Sequence, residues 1–202
     1  MPDATQHSPE NTAKLSPQFV HLRCHSEFSI VDGIVRIDDY VAQANNDAMP
    51  ALALTDLSNL FGAIKFYKAA RGKGIKPIIG CDIWLENSQN RDQAHRVLLL
   101  VQNHVGYLQL CALISRAYLE NQYRGRAELK PEWLNGLNGQ ALNNQSTEGL
   151  ILISGNAQSD IGAALIAGNI SLAEKLAEQW SNAFPNRMYI ELQRVQDRKS
   201  VV

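Results

Sequence analysis

Residues 50–85 read PALALTDLSNLFGAIKFYKAARGKGIKPIIGCDIWL, and this stretch decides the fold class. Two apolar runs of strand length, 51–55 and 77–85, flank a segment in which apolar residues recur at helical spacing. A strand, a helix and a second strand in this order form a βαβ unit, in which the two strands run parallel. The stretch therefore predicts an α/β protein built around a parallel sheet.

The same alternation extends through the rest of the chain. Apolar runs predict further strands at 20–24, 96–101, 150–153 and 188–192, which brings the total to roughly six parallel strands with flanking helices. The last strand is followed only by polar or unpatterned residues, without a closing helix. We therefore expect the domain to be truncated at its C-terminal end.

Four helices are predicted from apolar spacing and from capping residues. The apolar stripe of the first helix consists of Ile37, Tyr40, Val41 and Ala44, and that of the second consists of Leu60, Ala63, Ile64 and Tyr67. The third helix covers residues 107–119. The fourth helix opens with Ser171 and Glu174 and ends before Pro185. Ser171 and Glu174 have the spacing of a capping box, in which the two side chains satisfy free amide donors at the start of a helix. Gly72 and Gly74 are expected to end the second helix.

Two segments contain few apolar residues that a core could bury. Residues 1–17 are polar and without periodicity, which predicts a disordered N-terminal tail ahead of a domain that spans 18–202. Residues 135–148 are rich in Asn, Gln and Gly and are expected to form a surface insertion between a helix and a strand.

Composition limits the class of protein. With 202 residues and 45% hydrophobic content, the chain can bury a substantial core. Its 19 basic and 20 acidic residues give a net charge of −1, which excludes the basic character of a general nucleic-acid binder. Three widely spaced cysteines indicate neither a disulfide framework nor a zinc ribbon, and no apolar run is long enough to span a bilayer. We expect a cytoplasmic protein without a membrane partner.

Polar side chains gather where the predicted strands end. The first strand carries His21, Arg23 and His25 on one face, because side chains of a strand alternate with a period of two. The second strand leads into Asp56, and the third carries Asp82. Because the carboxyl ends of parallel strands meet at one edge, these side chains are expected to lie close together.

Two interpretations of these residues stay open on spacing alone. Histidines and carboxylates at strand ends, with Asp32 following the first strand, are the ligand types of a polynuclear metal site that activates water and polarises phosphate. Each residue could instead serve as a helix cap or a turn partner, which is the common role of a single strand-end Asp or His.

Four segments resemble the PHP (polymerase and histidinol phosphatase) domain that opens the alpha subunits of bacterial DNA polymerase III. They are FVHLRCHSEFSIVDG (19–33), PALALTDLSNLFGAIKFYKAARGKGIKPIIG (50–80), VGYLQLCALISRAYLE (105–120) and EGLILISG (148–155). The similarity includes loops and helices as well as strand ends and follows the same order along the chain. It implies a PHP-type distorted (β/α)7 barrel, here incomplete.

The resemblance also implies a metal site that has lost ligands. Remnants of the family's ligand set are His21, His25, Asp32, Asp56 and Asp82, whereas Arg23, Leu57 and Arg96 stand where the family has histidines. Arginine keeps its proton and so cannot bind a metal ion. We expect no bound cofactor in this segment, with a divalent Mg, Mn or Zn ion as the alternative.

A hypothesis about the two arginines follows from charge. Converging carboxylates without a counter-charge would repel each other, so the guanidinium groups of Arg23 and Arg96 are expected to neutralise Asp56 and Asp82. The alternative is that both arginines point to solvent or to a loop carbonyl.

The resemblance implies a structural and docking segment without catalytic residues, belonging to a polymerase that adds nucleotides to a primer on DNA. The implied partners are the rest of the alpha subunit, the proofreading exonuclease subunit, and DNA through the complete polymerase. The alternative is a metal-dependent phosphoesterase that resembles histidinol phosphatase. The sequence has no dinucleotide-binding, Walker A or GxSxG motif that would favour another enzyme class.

Overall fold

The structure of the chain is a computed structural model that describes residues 19–135 and 147–192. The N-terminal tail predicted for 1–17 and most of the insertion predicted for 135–148 lie outside the described residues. The strands are β1 (Ala51–Leu54), β2 (Lys76–Leu85), β3 (His95–Val101), β4 (Gln122–Tyr123), β5 (Arg126–Leu129), β6 (Leu150–Ile153) and β7 (Met188–Tyr189). The helices are α1 (Ile37–Asn46), α2 (Ala63–Gly72), α3 (His104–Glu120), α4 (Pro131–Asn135), α5 (Asp160–Ile166) and α6 (Ile170–Ala183).

The strands form one open sheet in the order β4-β5-β2-β3-β6-β7, and β1 also pairs with β2. β1 pairs with the first half of β2, while β5 pairs with its last residues, so the two strands share one edge of β2. Five strands, β1, β2, β5, β6 and β7, run in the same direction. The α/β class with a mostly parallel sheet is confirmed.

The structure corrects the prediction that β3 is one of the parallel strands. β3 runs antiparallel to both of its neighbours, β2 and β6. Only residues 86–94, which include a short 3-10 helix, connect β2 to β3. A parallel neighbour needs a crossover of a dozen residues or more, so this connection is too short to reverse the chain direction twice.

The first predicted strand, 20–24, lies beside β1 without forming a regular ladder. The amide of Ala53 donates to the His21 carbonyl at 3.0 Å, and the amide of Thr55 donates to the Cys24 carbonyl at 2.9 Å. The Cys24 amide in turn donates to the hydroxyl of Thr55 at 2.8 Å. The hydroxyl of Thr55 therefore takes the place of a backbone partner for the Cys24 amide.

The core lies on both faces of the sheet. The larger cluster joins Leu99 of β3 and Leu152 of β6 to helices α3, α5 and α6, whose buried residues include Leu110 and Trp180. A second cluster packs α1 and α2 against β1. Leu98 and Leu100 of β3 belong to a third, small cluster, because successive residues of a strand face opposite sides.

The helix predictions hold for α1 and α3, but α2 buries a different stripe. Its buried residues are Ala63, Phe66 and Ala70, whereas Ile64 and Tyr67 are exposed. Leu60, the first residue of the predicted stripe, lies before the start of the helix at Ala63. No helix in the described part of the chain is long and apolar enough to cross a membrane.

The start of α6 also differs from the prediction. The helix begins at Ile170, and the side chain of Asn169 accepts a hydrogen bond from the Leu172 amide at 3.1 Å. Asparagine is among the best N-cap residues, so the cap lies two residues before Ser171. The short elements α4, α5, β4 and β5 were not predicted.

Candidate functional site

Asp82 of β2 is the centre of the candidate site. Its side chain is fully buried. Oδ2 accepts hydrogen bonds from Nη1 of Arg23, from Nε2 of His25 at 3.1 Å and from Nη2 of Arg96 at 2.7 Å. Oδ1 accepts a further bond from Nε of Arg96 at 3.2 Å. One buried carboxylate is thus surrounded by two guanidinium groups and an imidazole.

The backbone explains why these side chains meet. The segment 20–25 runs beside β1 and carries Arg23 and His25, whose side chains both contact Asp82. On β3, Arg96 pairs with Trp84 of β2, two residues from Asp82 and on the same face. The guanidinium of Arg96 also lies over the Trp84 ring, 4.8 Å from its centroid, which fixes its direction.

Two further carboxylates complete the cluster. Asp32 Oδ1 lies 2.9 Å from Nδ1 of His25, and Glu191 accepts hydrogen bonds from Nη2 and Nε of Arg23 at 2.6 and 3.2 Å. When His25 is protonated, three positive groups (Arg23, Arg96, His25) balance three negative ones (Asp32, Asp82, Glu191). We call these six residues the Asp82 cluster.

Asp56 lies beside the Asp82 cluster but is held by different partners. Its carboxylate is buried and accepts hydrogen bonds from the amide of Ser26 at 2.6 Å and from the Ser26 hydroxyl at 3.0 Å. Burial raises the pKa of the Asp56 carboxyl above its usual value, although the two bonds from Ser26 oppose this shift. Within the described residues, neither arginine forms an ion pair with Asp56, so the charge hypothesis holds for Asp82 only.

Opposing effects set the protonation states of the cluster. Burial alone would raise the pKa of the Asp82 carboxyl, but the hydrogen bonds and charges of His25, Arg96 and Arg23 outweigh burial and hold it below its usual value. Burial lowers the pKa of the His25 imidazole, but Asp82 and Asp32 outweigh it and raise this pKa above its usual value. The cluster therefore favours a charged carboxylate beside a charged imidazole.

The raised pKa of His25 predicts a pH-dependent stability. The protonated imidazole contributes its full stabilisation below the pKa of an unfolded histidine, and this is lost as the pH rises through the higher folded pKa. The lowered pKa of the Asp82 carboxyl and the raised pKa of the Arg23 guanidinium keep both of these groups charged between pH 6 and 9. We expect the stabilisation by His25, measured as the difference in unfolding free energy between wild type and His25→Gln, to be larger at pH 6 than at pH 9. An equal difference at both values would contradict this.

The predicted site residues are only partly brought together. His25, Asp32 and Asp82 meet, Asp56 is adjacent, and Leu57 forms a backbone bridge with Asp82. The exposed ring of His21 packs instead against Phe19, with ring centroids 4.7 Å apart. Within the part of the chain that the structure describes, no group of three or more His, Cys, Asp or Glu side chains could hold a metal ion.

Two guanidinium groups hold the Asp82 carboxylate. The guanidinium nitrogens contact the carboxylate oxygen that a cation would have to contact, and their permanent charge repels a cation. Sequence reasoning missed Glu191, which lies two residues after the end of β7. The rule that selected Asp82 also applies to this strand-end carboxylate. Sequence reasoning also missed Ser26, the partner of Asp56.

A comparison with known proteins places the chain in a family. The sequence profile of the PHP domain matches residues 21–195, and the chain belongs to the PHP domain family. Within that family it is similar to the alpha subunit of DNA polymerase III. It is 44% identical to the Pseudomonas fluorescens subunit over 176 residues and 39% identical to the Escherichia coli K12 subunit over 176 residues.

The alignment covers most of this chain but only a small part of each polymerase subunit. It includes 87% of this chain but only 14% of either of these polymerase subunits. Among solved structures, a putative metal-dependent phosphoesterase from Bifidobacterium adolescentis has 10% sequence identity and a TM-score of 0.44, with 83% of this chain and 85% of that chain covered.

Proposed function

We propose that this chain is the non-catalytic PHP segment of a cytoplasmic replicative DNA polymerase alpha subunit, in which an ancestral metal site has become an ion-pair cluster. The observation that carries the proposal is the pair of guanidinium groups on the buried Asp82. The 39–44% identity to polymerase alpha subunits supports the assignment to that protein. The chemistry of nucleotide addition would belong to the rest of the subunit.

The Asp82 cluster supplies a physical reason for a structural role. A cation that joins several carboxylates holds the loops that carry them, and a guanidinium can do the same through directed hydrogen bonds. Arg96 joins β3 to β2, and Arg23 joins the first extended segment to Asp82 and to Glu191 after β7. The arginines thus connect four parts of the chain that a metal ion would otherwise connect.

The same cluster fixes a loop that is suited to docking. Residues 26–35 form a compact turn in which the Gly33 amide donates to the Ser29 carbonyl at 2.7 Å and the Ser29 hydroxyl donates to Asp32 at 2.7 Å. A side chain at position 33 would lie 1.8 Å from the Ser26 carbonyl oxygen, which explains the glycine. Asp32 in turn contacts His25, so the loop is anchored to the cluster.

This fixed loop exposes branched aliphatic side chains. Ile30, Val31 and Ile34 are 83%, 85% and 92% exposed. Exposed apolar residues on a rigid support are typical of protein-binding surfaces. We infer that the 26–35 loop docks the proofreading exonuclease subunit, the partner implied by the similarity to polymerase alpha subunits.

A binding measurement with purified exonuclease subunit tests the docking role. We expect Ile34→Asp to weaken its binding to the chain roughly 10-fold or more, because a charge would have to be buried in the interface. The matched control is Ile166→Asp, which changes an exposed isoleucine of α5 and should leave binding unchanged. Equal binding by wild type and Ile34→Asp would contradict the docking role of this loop.

A turnover assay tests the non-catalytic assignment against the phosphoesterase alternative. The chain is incubated with a chromogenic phosphoester and with Mn²⁺ or Zn²⁺, in the presence and absence of a chelator. We expect no metal-dependent hydrolysis, because the guanidinium groups occupy the Asp82 carboxylate. Chelator-sensitive turnover by the wild-type chain that is lost in Asp82→Asn would support the phosphoesterase and contradict the proposal.

A further inference from the structure

Positive charge is concentrated in residues 57–81. This stretch contains five of the 19 basic residues of the chain and no Asp or Glu, so the other 14 basic residues are outnumbered by the 20 acidic ones. The net charge of −1 thus conceals a local positive surface on an otherwise acidic chain. Such a distribution attracts a polyanion to one place without making the whole protein a general nucleic-acid binder.

Four of these five basic residues are exposed and unpaired. Lys65, the fifth, forms ion pairs with Glu27 at 3.1 Å and with Asp38 at 3.4 Å. The others form no ion pair within the described residues, and we call them the basic surface: Lys68, Arg71, Lys73 and Lys76. Asp47, the acidic residue that precedes β1, is bonded to Gln43 at 3.1 Å. Among the residues that the structure describes, no carboxylate lies within ion-pair distance of the basic surface.

The end of α2 and the turn that follows hold the basic surface in place. Lys68 and Arg71 are three residues apart on the helix and are therefore neighbours on its surface. The chain then turns at Gly74, which has a left-handed φ of 75° and whose amide donates to the Arg71 carbonyl at 3.1 Å. Lys76 follows as the first residue of β2, and its amide donates to the Pro50 carbonyl at 3.0 Å. The four cations are thus fixed within a stretch of nine residues.

The dipole of α2 accounts for only part of this arrangement. Basic residues at the end of a helix interact favourably with its negative pole, which suits Arg71 and the C-cap residue Lys73. Lys68 lies before the last turn, and Lys76 belongs to a strand. A partner with regularly repeated negative charges explains all four positions, and a nucleic-acid strand carries such charges along its whole length.

Exposed aromatic rings beside the basic surface favour a single strand over a duplex. Tyr67 is 50% exposed and lies four residues before Arg71, so the ring and the guanidinium share one strip of α2. Phe61, which precedes the helix, is 68% exposed. Proteins that bind single strands combine positive charge along the backbone with aromatic rings on which bases stack. In a duplex, those faces of the bases are hidden by their neighbours.

We propose that the basic surface and Tyr67 bind single-stranded DNA, with the four cations on phosphates and the Tyr67 ring stacked on a base. Phosphates and base faces are common to DNA and RNA, and the choice of DNA rests on the proposed function as a polymerase segment. The binding itself does not rest on it, because the surface shares no residue with the Asp82 cluster or with the 26–35 loop. Lys76 and Asp82 are about 20 Å apart along β2.

Fluorescence anisotropy of a labelled oligo(dT) of about 20 nucleotides, titrated with the 202-residue chain, tests the charge contribution. We expect a plot of the logarithm of the binding constant against that of salt concentration to have a slope of about −3, the value for roughly four phosphates of a single strand. Lys68→Gln combined with Arg71→Gln should halve this slope and weaken binding roughly 10-fold at low salt. The matched control, Arg36→Gln combined with Lys175→Gln, removes the same charge from exposed positions elsewhere and should bind like wild type.

Tyr67→Ala tests the contribution of stacking, because it removes an exposed ring without changing the charge. We expect it to weaken the binding of oligo(dT) about 5-fold or more, and to leave the binding of a duplex of the same length unchanged. Oligo(rU) compares RNA with DNA. Polyglutamate and vesicles that contain phosphatidylserine compare other polyanions, and both should bind roughly 10-fold or more weakly than oligo(dT), because neither offers base faces to the tyrosine ring.

Several results would overturn the inference. One is the absence of oligo(dT) binding at low salt. Another is equal weakening by the two double variants, when circular dichroism shows both folded. Unchanged binding by Tyr67→Ala, or equally tight binding of the duplex, polyglutamate or the vesicles, would contradict recognition of a single strand. RNA bound more tightly than DNA would contradict the polymerase assignment as well, whereas loss of all binding would leave that assignment intact.

Discussion

Replacing Asp82 with asparagine is expected to lower the free energy of unfolding by about 3–5 kcal/mol, the usual cost of removing one partner from a buried ion pair. The substitution keeps the shape of the side chain but removes its charge. Arg23, His25 and Arg96 would then face an amide, one end of which is itself a donor. The penalty comes mainly from cationic groups left partly buried without their counter-charge.

Urea unfolding of wild type and Asp82→Asn measures this effect, and a thermal melt should show a melting temperature lower by roughly 6–20 °C. Asp39→Asn is the matched control, because Asp39 is exposed in the first turn of α1 and its loss should cost less than about 1 kcal/mol. A free energy of unfolding for Asp82→Asn within about 0.5 kcal/mol of wild type, the range of an ordinary surface change, would contradict the structural role of the cluster.

The second large effect is a gain of metal binding. The combined change Arg23→His, Leu57→His and Arg96→His restores the imidazoles that the resemblance to PHP domains implies at these positions. It also removes two permanent positive charges from the surroundings of Asp82. Neutral imidazole and carboxylate are good ligands for Zn²⁺ and Mn²⁺, so we expect the variant to retain about one ion or more per chain after dialysis.

A matched variant separates the two causes of this gain. Arg23→Gln, Leu57→Gln and Arg96→Gln removes the same guanidinium groups without supplying imidazoles, and it should retain far less metal than the histidine variant. Circular dichroism of both variants verifies that each is folded. If the folded histidine variant retained no more metal than the glutamine variant, the replacement of histidine ligands by arginine would lose its support.

The side chains that meet at the strand ends could be predicted from the sequence, because the face on which a strand residue lies depends on local periodicity. Alternation along 19–25 put Arg23 and His25 on one face, and both contact Asp82 in the structure. The direction of β3 was predicted wrongly because its apolar run was treated like the others. The shortness of the 86–94 connection, which forces an antiparallel neighbour, was visible in the sequence and outweighs the run itself.

The choice of ion-pair partners could not be predicted. The sequence indicated that two arginines would neutralise Asp56 and Asp82. In the structure, the Asp56 carboxylate instead accepts hydrogen bonds from the backbone amide and the hydroxyl of Ser26. Arg23 pairs with Asp82 as expected and also with Glu191, which is 168 residues away in sequence. Contacts at that separation depend on the order of the strands in the sheet rather than on any local pattern.

A second buried carboxylate shows the same limitation. Glu128 of β5 is fully buried and accepts hydrogen bonds from Arg91 and Arg126, at 3.0 and 2.9 Å. Neither β5 nor the pairing of Arg91 with Glu128 was predicted. Arg91 lies in the connection after β2, and it contacts Glu128 only because β2 and β5 pair in parallel. Two arginines around one buried carboxylate is therefore an arrangement that this fold uses more than once.

Metal content of the wild-type chain tests the central proposal most directly. The purified protein is equilibrated with Mn²⁺ or Zn²⁺, dialysed, and analysed for metal per chain by mass spectrometry. If arginines now occupy the position of the ancestral cations, the wild-type chain should retain well under one ion. Two or more tightly held ions, with His25, Asp56 and Asp82 as ligands, would contradict the proposal.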